Sequence, residues 1–430
     1  MEAGVGSADF TPGVGTLLQG HGDGVRAVGV LAPLESRAIV FTHGRMRLAI
    51  VTLDAIGLDA ASVRRIRTAI FARCGIEPDR VLIAASHTHW GPALLNFLGT
   101  PADQPCLAAA ERAAVAAVVE AAQRTESVRL ALGAASACFP INRRPLPGHR
   151  NMEPNPSQIA DRRVRLLRVD RPDGTLLAVL FHFSCHPTTG CGANVVSPDY
   201  PGLARAQIEH EMSCRALFIP GCFGNVRPAI VDDEGRFKSA SEADLRHNAG
   251  QLARAVCGAA EALRTRGYDE LAAATVPVRL EYAPLIDEAS LIERYHHYGN
   301  SYSPIRRAWE NARQCQERGD LPTGVDSQVQ ALRVGPMILV GLPGEAVQEI
   351  GLEIEKRLWE SGGVREVWAC GYCNDMLGYL VTEAQKREGG CGYEQNAYFT
   401  YGRPAPFQHE QQRLVEAAVR ANAALDQGER

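Results

Sequence analysis

The sequence predicts an α/β protein, a layered sheet-and-helix domain over residues 1–430 with its site at the carboxyl ends of strands. Three observations carry this. Short apolar runs bounded by turn residues read as buried strands. They alternate with amphipathic stretches of helical length, which favours a largely buried, layered sheet. Four of the runs end in polar groups able to bind a metal or move a proton, at the edge where open α/β sheets bind ligands.

In chain order, residues 37–41 and 47–53 read as paired strands and 60–74 as an amphipathic helix. Val81-Leu82-Ile83-Ala84-Ala85 is the next strand, running into His87-Thr88-His89 just before Gly91-Pro92. An Ala-rich helix is expected over 108–124. The strand at 177–181 leads to His182 and then His186-Pro187-Thr188-Thr189, with helices over 201–212 and 243–264. The strand at 337–340 ends in Pro343-Gly344-Glu345, followed by a helix over 346–359. Val367-Trp368-Ala369 runs into Asn374-Asp375 and Tyr379, and a last helix spans 408–425. Two segments interrupt the alternation. Residues 140–158, rich in Pro, Asn and Arg with little periodicity, read as a long loop of the kind that is either functional or disordered in compact domains. Residues 287–323 are polar and helical, with Tyr295, His296, His297, Tyr298 and Tyr302 close together, and read as an inserted cap or a solvated hairpin. No internal repeat is visible.

A hydrophobic fraction of 46% supports a substantial core, and a net charge of −4 with dispersed arginines gives no electrostatic case for nucleic acid or for an anionic membrane surface. No run of 18 apolar residues spans a membrane. The amino terminus has no basic start and no apolar segment, so a secretion signal is not expected, and the cytoplasm is the expected location. The 12 cysteines are scattered, several in apolar segments (Cys138, Cys185, Cys214, Cys257), and read as reduced thiols. Cys370-x-x-Cys373 lacks a second pair for zinc and follows a strand, so it reads as structural.

Side chains two apart on a strand share a face, so His87 and His89 are expected to point together beyond the strand end. His182, inside a strand, reads as a core histidine, and Glu349 with residues 353–355 as a solvated helix face. Asp54 is read either as a partner orienting a metal histidine or as a turn residue, and Asp199 carries the same two readings. Glu345 is either a ligand or a carboxylate placed to favour a helix start.

Together the motifs resemble the amino-terminal catalytic domain of the neutral ceramidase family. The resemblance runs through Gly4-Val5-Gly6, Asp9, Thr11-Pro12, Gly29 and Arg37-Ala38. It continues with Ser86-His87-Thr88-His89-x-Gly91-Pro92, Ile141-Asn142-Arg143-x-Pro145, His186-x-Thr188, and Asn194 with Asp199. It closes with Gly224-Asn225-Val226-x-Pro228, Pro343-Gly344-Glu345, Tyr379-x-x-Thr382 and Tyr393-Glu394, all in the family's order. The resemblance implies one catalytic Zn2+ per chain, held by His87, His186, Glu345 and Tyr379. Such a set leaves the open position a catalytic zinc requires, and zinc brings water to a pKa of about 7. It further implies His89 as acid/base, and Arg143 and Tyr393 beside the substrate or the developing oxyanion.

Four departures argue against ceramide itself. The family's Gly-Asp-Val-Ser-Pro-Asn is here Gly224-Asn225-Val226-Arg227-Pro228-Ala229, so a serine nucleophile at that position is excluded, and Arg227, with Asn225, is assigned to substrate binding. A family histidine near the start aligns with Leu31. A carboxyl-terminal immunoglobulin-like domain and a secretion signal are not expected. The expected activity is zinc-dependent cleavage of the amide bond of a small polar or anionic N-acyl compound. The alternatives are an esterase or lactonase, a ceramide-like lipid amidase, and a non-catalytic binding protein on the same scaffold. No nucleic-acid or membrane partner is expected, and homo-oligomerisation is left open.

Overall fold

A computed structural model describes the chain apart from residues 21–23, 98–99, 147–148, 150–151, 297–301, 363–365, 389–392 and 427–430. It is a mixed α/β fold in which one topology occurs three times. In the first unit, β1 (Glu2–Asp9), β2 (Glu35–His43) and β3 (Met46–Leu53) pair antiparallel in sequence order. Helix α1 (Ala60–Cys74) then crosses over to β4 (Val81–Ala85), parallel to β3, and α2 (Gln104–Gln123) follows. In the second unit the same roles fall to β5 (Arg129–Ser136), β6 (Arg163–Asp170), β7 (Leu176–Phe183), α3 (Asp199–Met212), β8 (Arg215–Pro220) and α4 (Glu242–Glu261). Strands β5, β6 and β7 are antiparallel and β8 is parallel to β7.

The third unit begins with β9 (Leu271–Tyr282) and then carries an insertion, α5 (Glu288–Tyr295) and α6 (Tyr302–Arg318). It resumes with β10 (Gly324–Val334), β11 (Met337–Gly341), α7 (Gln348–Glu360), β12 (Glu366–Cys370) and α8 (Glu410–Leu425), again with an antiparallel trio and a parallel fourth strand. The periodicity is one of topology and not of residues, which is why the sequence shows no repeat.

Each sheet packs one face on its own pair of helices and turns the other inward. Leu48, Ile50 and Leu82 of the first sheet, Leu167, Leu180 and Leu217 of the second, and Leu332, Leu339 and Trp368 of the third meet in one central cluster. The short parallel strands β4 and β11 are therefore buried along their whole length, the situation that produces unbroken apolar runs.

The insertion is not solvated on all sides. Leu291, Tyr295, Ile305 and Trp309 pack on Tyr398 and Phe399, and the Tyr295 hydroxyl donates to the Asn396 carbonyl at 2.9 Å. His297 and Tyr298 lie outside the described residues. Each described cysteine is a free thiol; Cys185, Cys257, Cys370 and Cys373 are buried, Cys214 is half-buried and Cys138 is exposed. Among the described residues no helix is long and apolar enough to cross a membrane.

Candidate active site

The site assembles where the three parallel strand pairs end. β4 stops at Ala85, and the amides of Ser86 and His87 reach across to the carbonyls of Leu53, the last residue of β3, and of Ala55 just beyond it. His87 sits in the left-handed region at φ 67°, a conformation costing about 1–3 kcal/mol for a side chain of this kind. The convergence of His87 and His89, with ring centroids 4.9 Å apart, thus arises in a turn beyond the strand. Strand alternation, expected from the sequence, is not its cause. Tyr372 and Asn374, after β12, and Asp199, at the start of α3, also have positive φ, so backbone strain gathers around the site.

Three imidazoles are oriented by main-chain carbonyls. Nδ1 of His87 lies 2.6 Å from the Ile56 oxygen, that of His89 2.9 Å from the Gly20 oxygen, and that of His186 2.9 Å from the Phe223 oxygen. A carbonyl only accepts, so each Nδ1 carries a proton, the tautomer that in a neutral ring leaves a lone pair on Nε2. Those lone pairs converge. The Nε2 atoms of His87 and His89 are 3.3 Å apart, and one ring nitrogen from each of His87, His89 and His186 lies within 4.8 Å of the others. The Glu345 carboxylate closes the group, with Oε2 3.1 Å from Nε2 of His87 and 3.4 Å from Nε2 of His186. Burial, aided by the charge of Arg143, pushes His186 down to about 3, so no proton sits on its Nε2 at neutral pH.

Gly20 has φ 101°, and a Cβ there would fall 2.4 Å from Nδ1 of His89; the carbonyl that orients this ring belongs to a residue that must be glycine.

Glu345 is a strand residue here, not the first turn of a helix. Glu345-Ala346 pairs in parallel with Tyr379-Leu380, Glu345 in register with Tyr379, and α7 begins only at Gln348. A Cβ on Gly344 would lie 2.5 Å from the Gly378 oxygen, so this approach needs glycine. The other carboxylate oxygen of Glu345 accepts from the Tyr401 hydroxyl. The Tyr379 hydroxyl accepts from Arg143 at 2.8 Å. Arg143 follows the short strand Pro140–Asn142, which pairs antiparallel with Val226–Pro228, and the Val226 carbonyl accepts from the His186 amide at 3.0 Å. This small ladder brings Arg143 and His186 together. Arg143 also donates to the Gly224 carbonyl at 2.7 Å and to Glu394 at 3.1 Å, and its guanidinium lies 5.9 Å from the Tyr393 ring centre.

The remaining sequence-derived residues have other partners. Asp54 receives two hydrogen bonds from Arg205, at 3.0 and 2.8 Å, and one from the Glu35 amide, while the Ile56 carbonyl orients His87. Asp199 accepts from the amides of Gly190 and Tyr200 and so fixes the loop after His186. Asn225 is fully buried, accepting from the Gln348 amide and donating to Glu349. Glu349 is accordingly not on a solvated face. Asn374 bonds to the Ile83 amide and to Gln330, and Asp375 to the first amide of α1. Arg227 stacks on Phe237. His182 is buried and donates to the Ala369 carbonyl at 3.2 Å.

Sequence reading gave no role to Tyr401 or Glu394, and it missed Tyr372, whose ring lies 4.3 Å from that of His87. Tyr401 lies in a short 3₁₀ turn, where no strand end announces it.

A mixed α/β scaffold that gathers imidazoles and a carboxylate from the strand ends of three units defines a class of protein with a site that could hold a metal. Within that class, residues 1–250 match the family described as neutral/alkaline non-lysosomal ceramidase, N-terminal, and the chain belongs to that family. The neutral ceramidase of Pseudomonas aeruginosa shares the fold with a TM-score of 0.75 and 21% identity, over 99% of this chain and 75% of that one. A ceramidase complexed with C2 gives 0.75 and 20% over the same shares. No curated protein matches the chain.

Proposed function

We propose that the chain is a zinc-dependent hydrolase of the amide bond in N-acyl compounds. One observation carries the reading. Nε2 of His186 and Oε2 of Glu345 are buried without a hydrogen-bond donor among the described residues, and the Nε2 lone pairs of His87 and His89 face the same space. Lone pairs packed this closely away from water call for a cation. Two neutral imidazoles, a carboxylate and a phenol oxygen, from His87, His186, Glu345 and Tyr379, are donors that zinc takes while keeping a position open. When bound, zinc acidifies water to a pKa of about 7 and polarises a carbonyl.

The chain's own groups supply the rest. His89, tied to Gly20, takes the proton of the attacking water at Nε2 and returns it to the departing nitrogen as the C–N bond breaks, giving a carboxylate and an amine. Arg143 places its charge where the carbonyl oxygen becomes negative, with Tyr393 beside it. Glu394 and the Gly224 carbonyl hold Arg143 in that position. The free thiols support a reducing, cytoplasmic setting.

Metal analysis and a substrate panel test this. Protein prepared without chelators should carry about one zinc per chain and cleave some N-acyl amines, losing turnover on chelation and regaining it with zinc. Ester or lactone turnover without amide turnover would assign the site to the neighbouring chemistry. A chain that holds little metal and cleaves nothing would be a binding protein on this scaffold.

A further inference from the structure

Among the described residues Arg227 is a cation without a counter-ion. It occupies the middle of the Val226–Pro228 strand, one residue from the carbonyl that anchors the His186 amide. Its guanidinium centre stands 4.4 Å from the Phe237 ring centre, and its buried Nε meets no hydrogen-bond partner among the described residues. Arg403, remote from Arg227 in sequence, lies in the same way 4.4 Å from the Phe407 ring centre, whereas other buried arginines, nearer the imidazoles and the sheets, are ion-paired. Arg143 and Arg144 share Glu394, Arg165 pairs with Glu355, and Arg205 pairs with Asp54 and Glu35. Burial, together with repulsion from the charge of Arg143, pulls the Arg227 guanidinium down to about 10.

Two cations, of which one is compensated, leave a positive field beside the site. A guanidinium lying on an aromatic face keeps its edge N–H groups for a planar oxyanion. We infer that Arg227 receives an oxyanion of the substrate, and that the compounds cleaved here are N-acyl compounds carrying a carboxylate or a phosphate-type group. The scissile bond rests on the amide-hydrolase reading, whereas the anion does not.

The test uses the zinc-loaded full chain and three anionic amides: N-octanoylglycine, N-octanoyl aminomethylphosphonate and suberic acid monoethylamide. Each is compared with a neutral analogue in which methyl replaces the oxyanion. At least one anionic member should exceed its analogue in kcat/KM by roughly tenfold to a hundredfold, the worth of a charge-assisted hydrogen bond. Arg227→Gln should bring that ratio close to one and Arg227→Lys should leave it intermediate, at unchanged zinc content and melting temperature. The preferred member tells carboxylate from phosphate and acyl side from amine side. Ratios of one throughout, or a ratio that survives Arg227→Gln, would overturn the inference. If no amide is cleaved, the amide reading fails, and calorimetry with the same compounds still decides. Anion-dependent binding lost in Arg227→Gln upholds the oxyanion site; binding indifferent to the anion removes it.

Discussion

The first two units and the third build the same topology and equip it differently. In the first, the segment after β4 supplies His87, whose Nδ1 donates to Ile56 in the segment after β3. In the second the roles are exchanged: the segment after β7 supplies His186, whose Nδ1 donates to Phe223 in the segment after β8. Both imidazoles are locked by a main-chain carbonyl of their own unit. The third unit offers a carboxylate, and its orienting partner is the side chain of Tyr401, far along the chain in a short turn that α5 and α6 support through Tyr398 and Phe399. Histidine can be fixed by any carbonyl, because its second nitrogen is a donor. A carboxylate has only acceptors, so it needs donors brought to it from elsewhere.

If all three units hold one ion, removing any one ligand should have the same, largest consequence. His87→Ala, His186→Ala and Glu345→Ala are each expected to lose zinc by more than the roughly 10–100-fold that removal of an orienting partner costs, as metal analysis after dialysis would show. A Glu345→Ala protein that keeps its zinc would confine the ion to the first two units.

His89 sharpens the comparison within the first unit. Its Nε2 is as close to His87 as a fellow ligand would be, yet the proposed role is proton transfer. His89→Ala should keep zinc and lose about 10²–10⁴-fold in kcat. An emptied site would make the first unit the donor of two ligands.

How much of this could be read from the sequence follows from the same contrast. The parallel strands are buried on both faces, so β4, β7, β11 and β12 stand out as apolar runs, and the polar residues after them are easily seen. A left-handed turn at His87 has no signature in a His-Thr-His string. Nor does a sequence reveal whether a polar residue after a strand faces the site or the framework: Asn374, Asp375 and Asn225 have the same local pattern as Glu345 and all three brace backbone. The threefold topology was hidden because packing asks for apolar character at each position and not for a particular residue. Tyr401 was hidden because its contact with Glu345 spans 56 positions, beyond any local pattern.

The arginine side of the site depends on Glu394, which is nearly inaccessible to solvent and takes hydrogen bonds from both Arg143 and Arg144. Glu394→Gln leaves the buried Arg143 guanidinium short of its charge partner, while Arg144 keeps Glu388, and breaking such a buried pair typically costs about 3–5 kcal/mol. Denaturant melts should show a loss of that order, and kcat should fall by roughly 10–100-fold as Arg143 loosens from Tyr379. Zinc should remain. An unchanged kcat in a destabilised protein would reduce Glu394 to a structural ion pair and detach the arginines from the chemistry.

The smallest effect concerns two carboxyl groups that stand in the second and third units, Asp199 and Asp375. Burial pushes each up to about 6, against the amides of Gly190 and Tyr200 in one case and of Met376 and Ala60 in the other. An aspartate in the unfolded chain titrates near about 3.9. The folded state therefore binds these protons more tightly, so their contribution to stability is complete below roughly pH 4 and is lost as pH rises through about 6. For one group the difference is worth up to about 3 kcal/mol. Asp199→Asn keeps an oxygen for the Gly190 amide and has no proton to lose, so its stability relative to wild type should improve as pH rises between those limits in denaturant melts. Asp375→Asn should change the slope by a similar amount in the same direction, and the double variant by about the sum of the two. Single variants with the wild-type slope would show that these carboxylates are ionised in the native protein at low pH, and that the loop after His186 and the start of α1 bind their charges better than burial opposes them.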